Sequence, residues 1–190
     1  MFEHIKISIR ITIALLVITC GLYPLAVWGI GQVAFRDKAN GSLITRNGKV
    51  IGSSLIGQNF AGERFFHGRP SNAGTDGYDP SASGGSNWGP TSKKLLDAVT
   101  DRTTKYADTK PPGGIPADAV TASCSGVDPH ISVANAQSQA ARVARANGLP
   151  PAQVDDLIRN RTEHRFLGVY GEPRVNVLLL NLDVMDASVK

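Results

Sequence analysis

Two cysteines and four histidines in 190 residues leave little material for disulfide or metal chemistry. Cys20 lies in an apolar run and Cys124 far beyond it, so no disulfide framework reports the compartment. His4, His67, His130 and His164 are scattered and lack metal-ligand spacing. Charge is mild. Beyond residue 35 there are 18 Lys plus Arg (20 less Lys6 and Arg10) against 15 Asp plus Glu (16 less Glu3), a net of +3. No basic run of five or six residues occurs, so nucleic-acid binding has no electrostatic support. No phosphate loop is present, because Gly48-Lys49 is followed by Val50 rather than Ser or Thr. The Gly-x-Ser-x-Gly nucleophile elbow is missing as well, and there is no internal repeat.

What the chain does have is one long apolar run. Residues 11–35 read ITIALLVITCGLYPLAVWGIGQVAF, 25 residues without an Asp, Glu, Lys, Arg or His. Crossing a bilayer core takes roughly 20 apolar helical residues, and no other stretch here is long and apolar enough. A retained spanning helix is therefore expected. A cleaved signal peptide would start basic, as Lys6 and Arg10 allow, but its apolar part would be shorter, and Gly29-Ile30-Gly31 is a poor cleavage site. A buried core helix would show a polar face, and none interrupts the run. Pro24 predicts a kink, with partner helices as the alternative source of compensation for its missing donor. Trp28 suits the far interface. Basic residues do not orient the span: Lys6 and Arg10 precede it, while Arg36, Lys38, Arg46 and Lys49 follow. Long domains translocate largely regardless of such charges.

The remaining 155 residues suffice for one domain with a real core. Between residues 57 and 116 lie ten glycines and six prolines, a loop-rich composition. Phe60, Phe65, Phe66, Tyr78 and Trp88 in the same stretch imply ordered loops packed on a core, since disordered linkers lack aromatics. Residues 48–57 predict a strand or hairpin. A helix is expected from Pro90-Thr91-Ser92, with Leu95, Leu96, Val99, Thr103 and Tyr106 along one stripe, stopped by Lys110-Pro111-Pro112-Gly113-Gly114. Residues 118–122 read as extended. Ser132 caps a helix running to about Asn147 with Gly148 as its stop, and Ala136, Ala140, Val143 and Ala144 form its packing face. Pro151 opens another helix carrying Val154, Leu157, Ile158 and Arg161. The apolar run 175–182 reads as strand first, turning helical near Asp183.

Two segments carry candidate chemistry. Ser83-Gly84-Gly85-Ser86-Asn87 feeds a helix start, where backbone donors and hydroxyls can cradle an anion or a phosphate. Its competing reading is a structural turn capped by Ser86, Asn87 or Thr91. Residues 121–132 bring hydroxyls, Asp128 and His130 before a helix; helix capping outweighs a Ser125–His130–Asp128 relay, because adjacent positions seldom align three side chains. Cys124 reads as a small packing residue rather than a nucleophile. Arg69 and Arg174, each beside a proline, are placed to clamp a carboxylate, against a plain surface role.

Taken in order, the segments Gly52-Ser53-Ser54-Leu55-Ile56-Gly57-Gln58, Phe65-Phe66-His67-Gly68-Arg69-Pro70-Ser71, Tyr78-Asp79-Pro80 with residues 83–87, Val120-Thr121-Ala122-Ser123, Asp128-Pro129-His130-Ile131-Ser132 and Gly171-Glu172-Pro173-Arg174-Val175-Asn176 resemble the KdpC family. These are the C subunits of the Kdp potassium-transporting P-type ATPase. The resemblance covers nearly the whole chain. Cys124 stands where the family usually has a small residue such as Gly, and Trp88 where Leu is usual.

The resemblance implies an α+β (or α/β) protein. Residues 1–10 would be a cytoplasmic N-terminus, 11–35 a transmembrane segment, and 36–190 a single compact extracytoplasmic domain at the plasma (inner) membrane. It implies a non-catalytic accessory subunit that stabilises the uptake complex and modulates potassium entry. Its partners would be the channel-like KdpA, the pump KdpB, the small membrane peptide KdpF and membrane lipid, with no nucleic acid. Asp37-Lys38-Ala39-Asn40-Gly41 fits this, since it departs from the Asp-Lys-Thr-Gly-Thr phosphorylation motif at residues three to five. No cofactor is firm and no metal is expected. The alternative the resemblance carries is a nucleotide-binding catalytic chaperone, with ATP at Ser83, Gly84, Gly85, Ser86 and Asn87.

Overall fold

The computed structural model describes residues 1–107 and 113–188. The chain falls into two compact units, Met1–Ile51 and Gly52–Lys190.

The first unit begins with a continuous helical rod, Phe2–Ala34, 33 residues with none buried, whose most apolar 18-residue stretch has a mean hydropathy of 2.1. It starts nine residues before the apolar run, taking in the polar N-terminus, and comprises α1 (Phe2–Leu16), a π-helical turn (Val17–Leu22) and α2 (Tyr23–Ala34). The π turn is the local response to Pro24. Proline has no N–H for the Cys20 carbonyl and its ring crowds that turn, and a wider winding accommodates both. Thr19 Oγ1 donates to the Leu15 carbonyl at 2.7 Å on the same stretch. A four-residue helix, α3 (Arg36–Ala39), holds Asp37. Next come β1 (Leu43–Arg46) and β2 (Lys49–Ser53), which pair as a hairpin. Asn47 and Gly48 turn it, with φ of 51° and 75°, as a two-residue loop matching strand twist requires. The strand expected in residues 48–57 thus exists, but its partner precedes it.

In the second unit α4 (Lys93–Ala107) follows a loop region broken by one 3₁₀ turn, Pro80–Ala82. The expected stop at Lys110-Pro111-Pro112 lies outside the described residues. Leu96, assigned to the packing stripe, is instead 66% exposed. Of residues 118–122, the first three are helical and the backbone turns extended only at Thr121. Pro116 introduces a short helix, α5 (Ala117–Val120). It aims Asp118 at the next helix: the carboxylate accepts from the Ser132 N–H, the Ser132 hydroxyl and the Asn135 amide at 2.8–3.0 Å. After β3 (His130–Ser132) runs α6 (Val133–Asn147), bounded as its sequence requires. Ser132 Oγ accepts from the Asn135 N–H at 3.1 Å, and Gly148 closes it at φ 67°. Pro151 opens α7 (Pro151–Asn160). Then come β4 (Thr162–Glu163), β5 (Arg174–Asn176) and α8 (Val177–Ser188).

The turn from strand to helix near the C-terminus comes six residues earlier than the apolar run suggests. Asn176 ends the strand: its Oδ1 accepts from the Leu179 N–H at 3.2 Å, and its Nδ2 donates to the Ser54 carbonyl at 2.8 Å. Val177, Leu180, Asn181 and Val184 are then all buried, at helical spacing.

The sheet of this unit has the order β3-β5-β4, and both pairs are antiparallel, which makes the fold α+β rather than α/β. Ile131 pairs with Val175, and both are buried. They share one core with Phe66, Ala136, Val143, Val154, Ile158 and Leu180, drawn from β3, β5, α6, α7, α8 and one loop. Between β4 and β5 the chain makes a projecting turn with Phe166 paired to Tyr170.

Candidate functional site

The loop that carries Phe66 and Arg69 has no ladder of its own, so its backbone groups need other partners. Side chains of α6 and α8 supply them. Arg142 donates to the carbonyls of Glu63 (2.7 Å) and Phe65 (3.0 Å), and Asn147 to that of Arg64 (2.8 Å). Asn181 takes the Phe66 N–H at 2.7 Å and gives to its carbonyl at 2.9 Å. Gln139 treats His67 the same way, at 2.8 and 3.1 Å. Burial foremost lowers the His67 pKa, and its Nε2 sits 2.9 Å from the Gly62 carbonyl.

Held in this way, residues 68–78 meet the segment 121–132. Ser71 Oγ is the junction: it donates to the Gly126 carbonyl at 2.6 Å and accepts from the Ala73 and Tyr78 N–H groups. The Tyr78 hydroxyl donates to the Arg69 carbonyl at 2.6 Å, and the ring lies so close to Gly57 and Gly68 that a Cβ on either would collide with it. Burial, with the Asp128 carboxylate adding, pushes its phenol up to about 12.

Residues 83–87 lie along residues 124–126. Ser83 Oγ and the Gly84 N–H both donate to the Ser125 carbonyl, at 2.9 and 3.0 Å. A Cβ on Gly85 would stand 3.0 Å from the Cys124 carbonyl oxygen. The left-handed residue of this turn is Asn87, φ 53°, not either glycine. Two donors expected to face a ligand are thus spent on the neighbouring loop. A cleft of about 780 Å³ opens elsewhere, lined among others by Gln137, Ser138, Asp155, Arg159 and His164, and none of Ser83, Gly84, Gly85, Ser86 or Asn87 borders it.

Of the imagined relay, His130 Nδ1 stands 3.6 Å from Asp128 Oδ1, while the Ser125 hydroxyl is engaged by its own loop. Ser125 Oγ accepts from the Val127 N–H at 3.2 Å, and Asp128 Oδ1 accepts from the His130 N–H at 3.0 Å. Burial alone would raise the Asp128 pKa, but its hydrogen bonds to His130 and the Arg69 charge hold it below the usual carboxylate value. Arg69 reaches Asp128 Oδ2 at 3.3 Å and Arg174 reaches Glu163 at 2.9 Å, so each arginine clamps a carboxylate of its own chain. Arg174 does so from strand β5 rather than a loop. Cys124 is exposed, not a packing residue.

Sequence reasoning missed the residues that do most of the holding. Gln139, Arg142 and Asn147 read as ordinary helix polars, and Asn181 as part of a run expected to be strand. The only available signal was a lone amide set among Ala or Leu at a core position.

The family model for KdpC, the K+-transporting ATPase c chain, matches residues 5–186. Among relatives, the potassium-transporting ATPase KdpC subunit of Gemmatimonas aurantiaca is 52% identical over 183 residues, 96% of this chain and 92% of that one. That of Rhodospirillum rubrum is 52% identical over 184 residues, 96% and 95%. That of Mycobacterium tuberculosis is 55% identical over 173 residues, 87% and 89%. A match that runs from the apolar helix to the last turn of α8 leaves one conclusion: the chain belongs to the KdpC family, the c chain of the K+-transporting ATPase.

Proposed function

We propose that this chain is a membrane-anchored, non-catalytic subunit that holds a potassium-transporting ATPase together, with its domain outside the cytoplasm against the channel-like KdpA subunit and with KdpB and KdpF as further partners. The observation that carries this reading is the extent of the family match, which includes the apolar helix as well as the α+β domain. A single helix gains little from apolar contact in lipid, because lipid tails are as apolar as its own side chains. Binding should therefore need the domain too. The non-catalytic part is supported by the spent donors at residues 83–84 and by the Ser125 hydroxyl's bond to the Val127 N–H, and residues 83–87 take a structural role rather than that of an ATP cradle.

Truncation after Phe35 tests this. It should weaken co-purification of the pump and channel subunits and abolish high-affinity potassium uptake. Normal uptake by a complex lacking the domain would overturn the assembly role. ATP hydrolysis by the isolated chain, lost on a point mutation within it, would overturn the non-catalytic role.

A further inference from the structure

The turn between β4 and β5 places four large apolar side chains side by side in solvent: Phe166 is 71% exposed, Leu167 77%, Val169 72% and Tyr170 67%. Single exposed apolar residues are ordinary; a contiguous group marks a contact surface. The group is also preformed. Phe166 and Tyr170 exchange backbone N–H···O bonds at 2.8 and 3.0 Å, and the Gly168 and Val169 N–H groups bond back to Arg165 and Phe166. Beneath the tip Arg165 grips both Glu172 oxygens, at 2.9 and 2.7 Å. Leu167 holds φ 52°, a left-handed conformation that a branched aliphatic residue adopts only under strain. A strained tip whose backbone bonds are met internally is already ordered for docking, so binding loses little further conformational entropy.

The surrounding charge decides what docks. The tip is flanked by Glu163, Arg165, Glu172 and Arg174, whose charges cancel, and both arginines are paired with the glutamates. Loops that settle on lipid surfaces add basic residues to attract headgroup phosphates. Here neither arginine is left over for one. A neutral apolar tip with aromatic anchors fits an uncharged pocket on a protein.

We propose that residues 166–170 form a plug that seats in an apolar, uncharged pocket on another subunit of the same transporter. This rests on the subunit reading above. Two experiments on the full chain, expressed with the rest of its transporter, test it. A photoreactive benzoyl-phenylalanine replacing Leu167 should cross-link to another transporter subunit in membranes. Leu167→Asp should lower the partner subunits recovered per tagged chain by about tenfold, the loss typical of a truncated anchor. Leu96→Asp, at an equally exposed leucine on α4, should leave recovery unchanged. Cross-linking to lipid only, to a second copy of this chain, or to nothing would overturn the plug, as would unchanged recovery with Leu167→Asp. If the unaltered tagged chain recovers no transporter subunit at all, the subunit reading itself has failed, which is a separate result.

Discussion

Asn181 has no exposed surface, and its amide is fully engaged by the Phe66 backbone. The pairing works because an amide offers a donor and an acceptor at the spacing of a peptide group. Replacing Asn181 with Leu keeps the branching and the number of heavy atoms but strands a buried N–H and a buried carbonyl, each worth about 1–3 kcal/mol. Asn181→Leu should therefore lower stability by roughly 2–6 kcal/mol, read as a fall in the denaturation midpoint of the detergent-solubilised chain; an unchanged midpoint would mean the loop finds other partners. Nothing in the residue's own chemistry forecasts this. Asn beside Leu180 and Leu182 looks like the edge of an apolar run, and only a loop 115 residues away makes it the centre of a core.

Among the elements, those with their signals inside themselves were readable. Helix α6 carries Ser132 at one end and Gly148 at the other, with a small-residue face between, and it forms between those residues. Elements whose form depends on a partner were not. Helix α5 is hidden in the sequence because four residues carry too little periodicity to declare themselves. The apolar run at 175–182 was split too late, because the residue that ends the strand, Asn176, is fixed by its bond to Ser54. The turn at residues 83–87 gives the same lesson. Gly85 matters for its distance from Cys124, not for a left-handed backbone. Gly85→Val should thus part the two loops and lower the melting temperature, at about 1–3 kcal/mol for an overpacked contact. Gly84→Ala, which meets nothing within 4 Å, should be nearly silent. If Gly85→Val left the melting temperature alone but abolished nucleotide binding, the turn would pass to the ligand-binding reading.

For the whole molecule, the central prediction is topology. With Cys20 and Cys124 replaced by Ser, a cysteine at Ser188 should react with an impermeant maleimide in intact spheroplasts. Labelling only after permeabilisation would put the domain on the cytoplasmic side, and a mature N-terminus near Gln32 would indicate cleavage instead of a retained helix.

Legible from the amino acids alone were the long apolar helix, the capped helix α6, the proline-led helix α7, the ordered loops carrying Phe66 and Tyr78, and membership of the family. Each of these rests on local spacing, length or an ordered set of short motifs, and such features survive without knowledge of what packs where. Packing had to settle how those loops are held, that the Ser83–Gly84 donors close on Ser125, that Arg69 and Arg174 meet carboxylates of their own chain, and that Phe166 to Tyr170 stand clear of the core. Hydrogen-bond partners and exposure depend on groups far apart in the chain, and a buried backbone must be satisfied by whichever side chains the fold brings near.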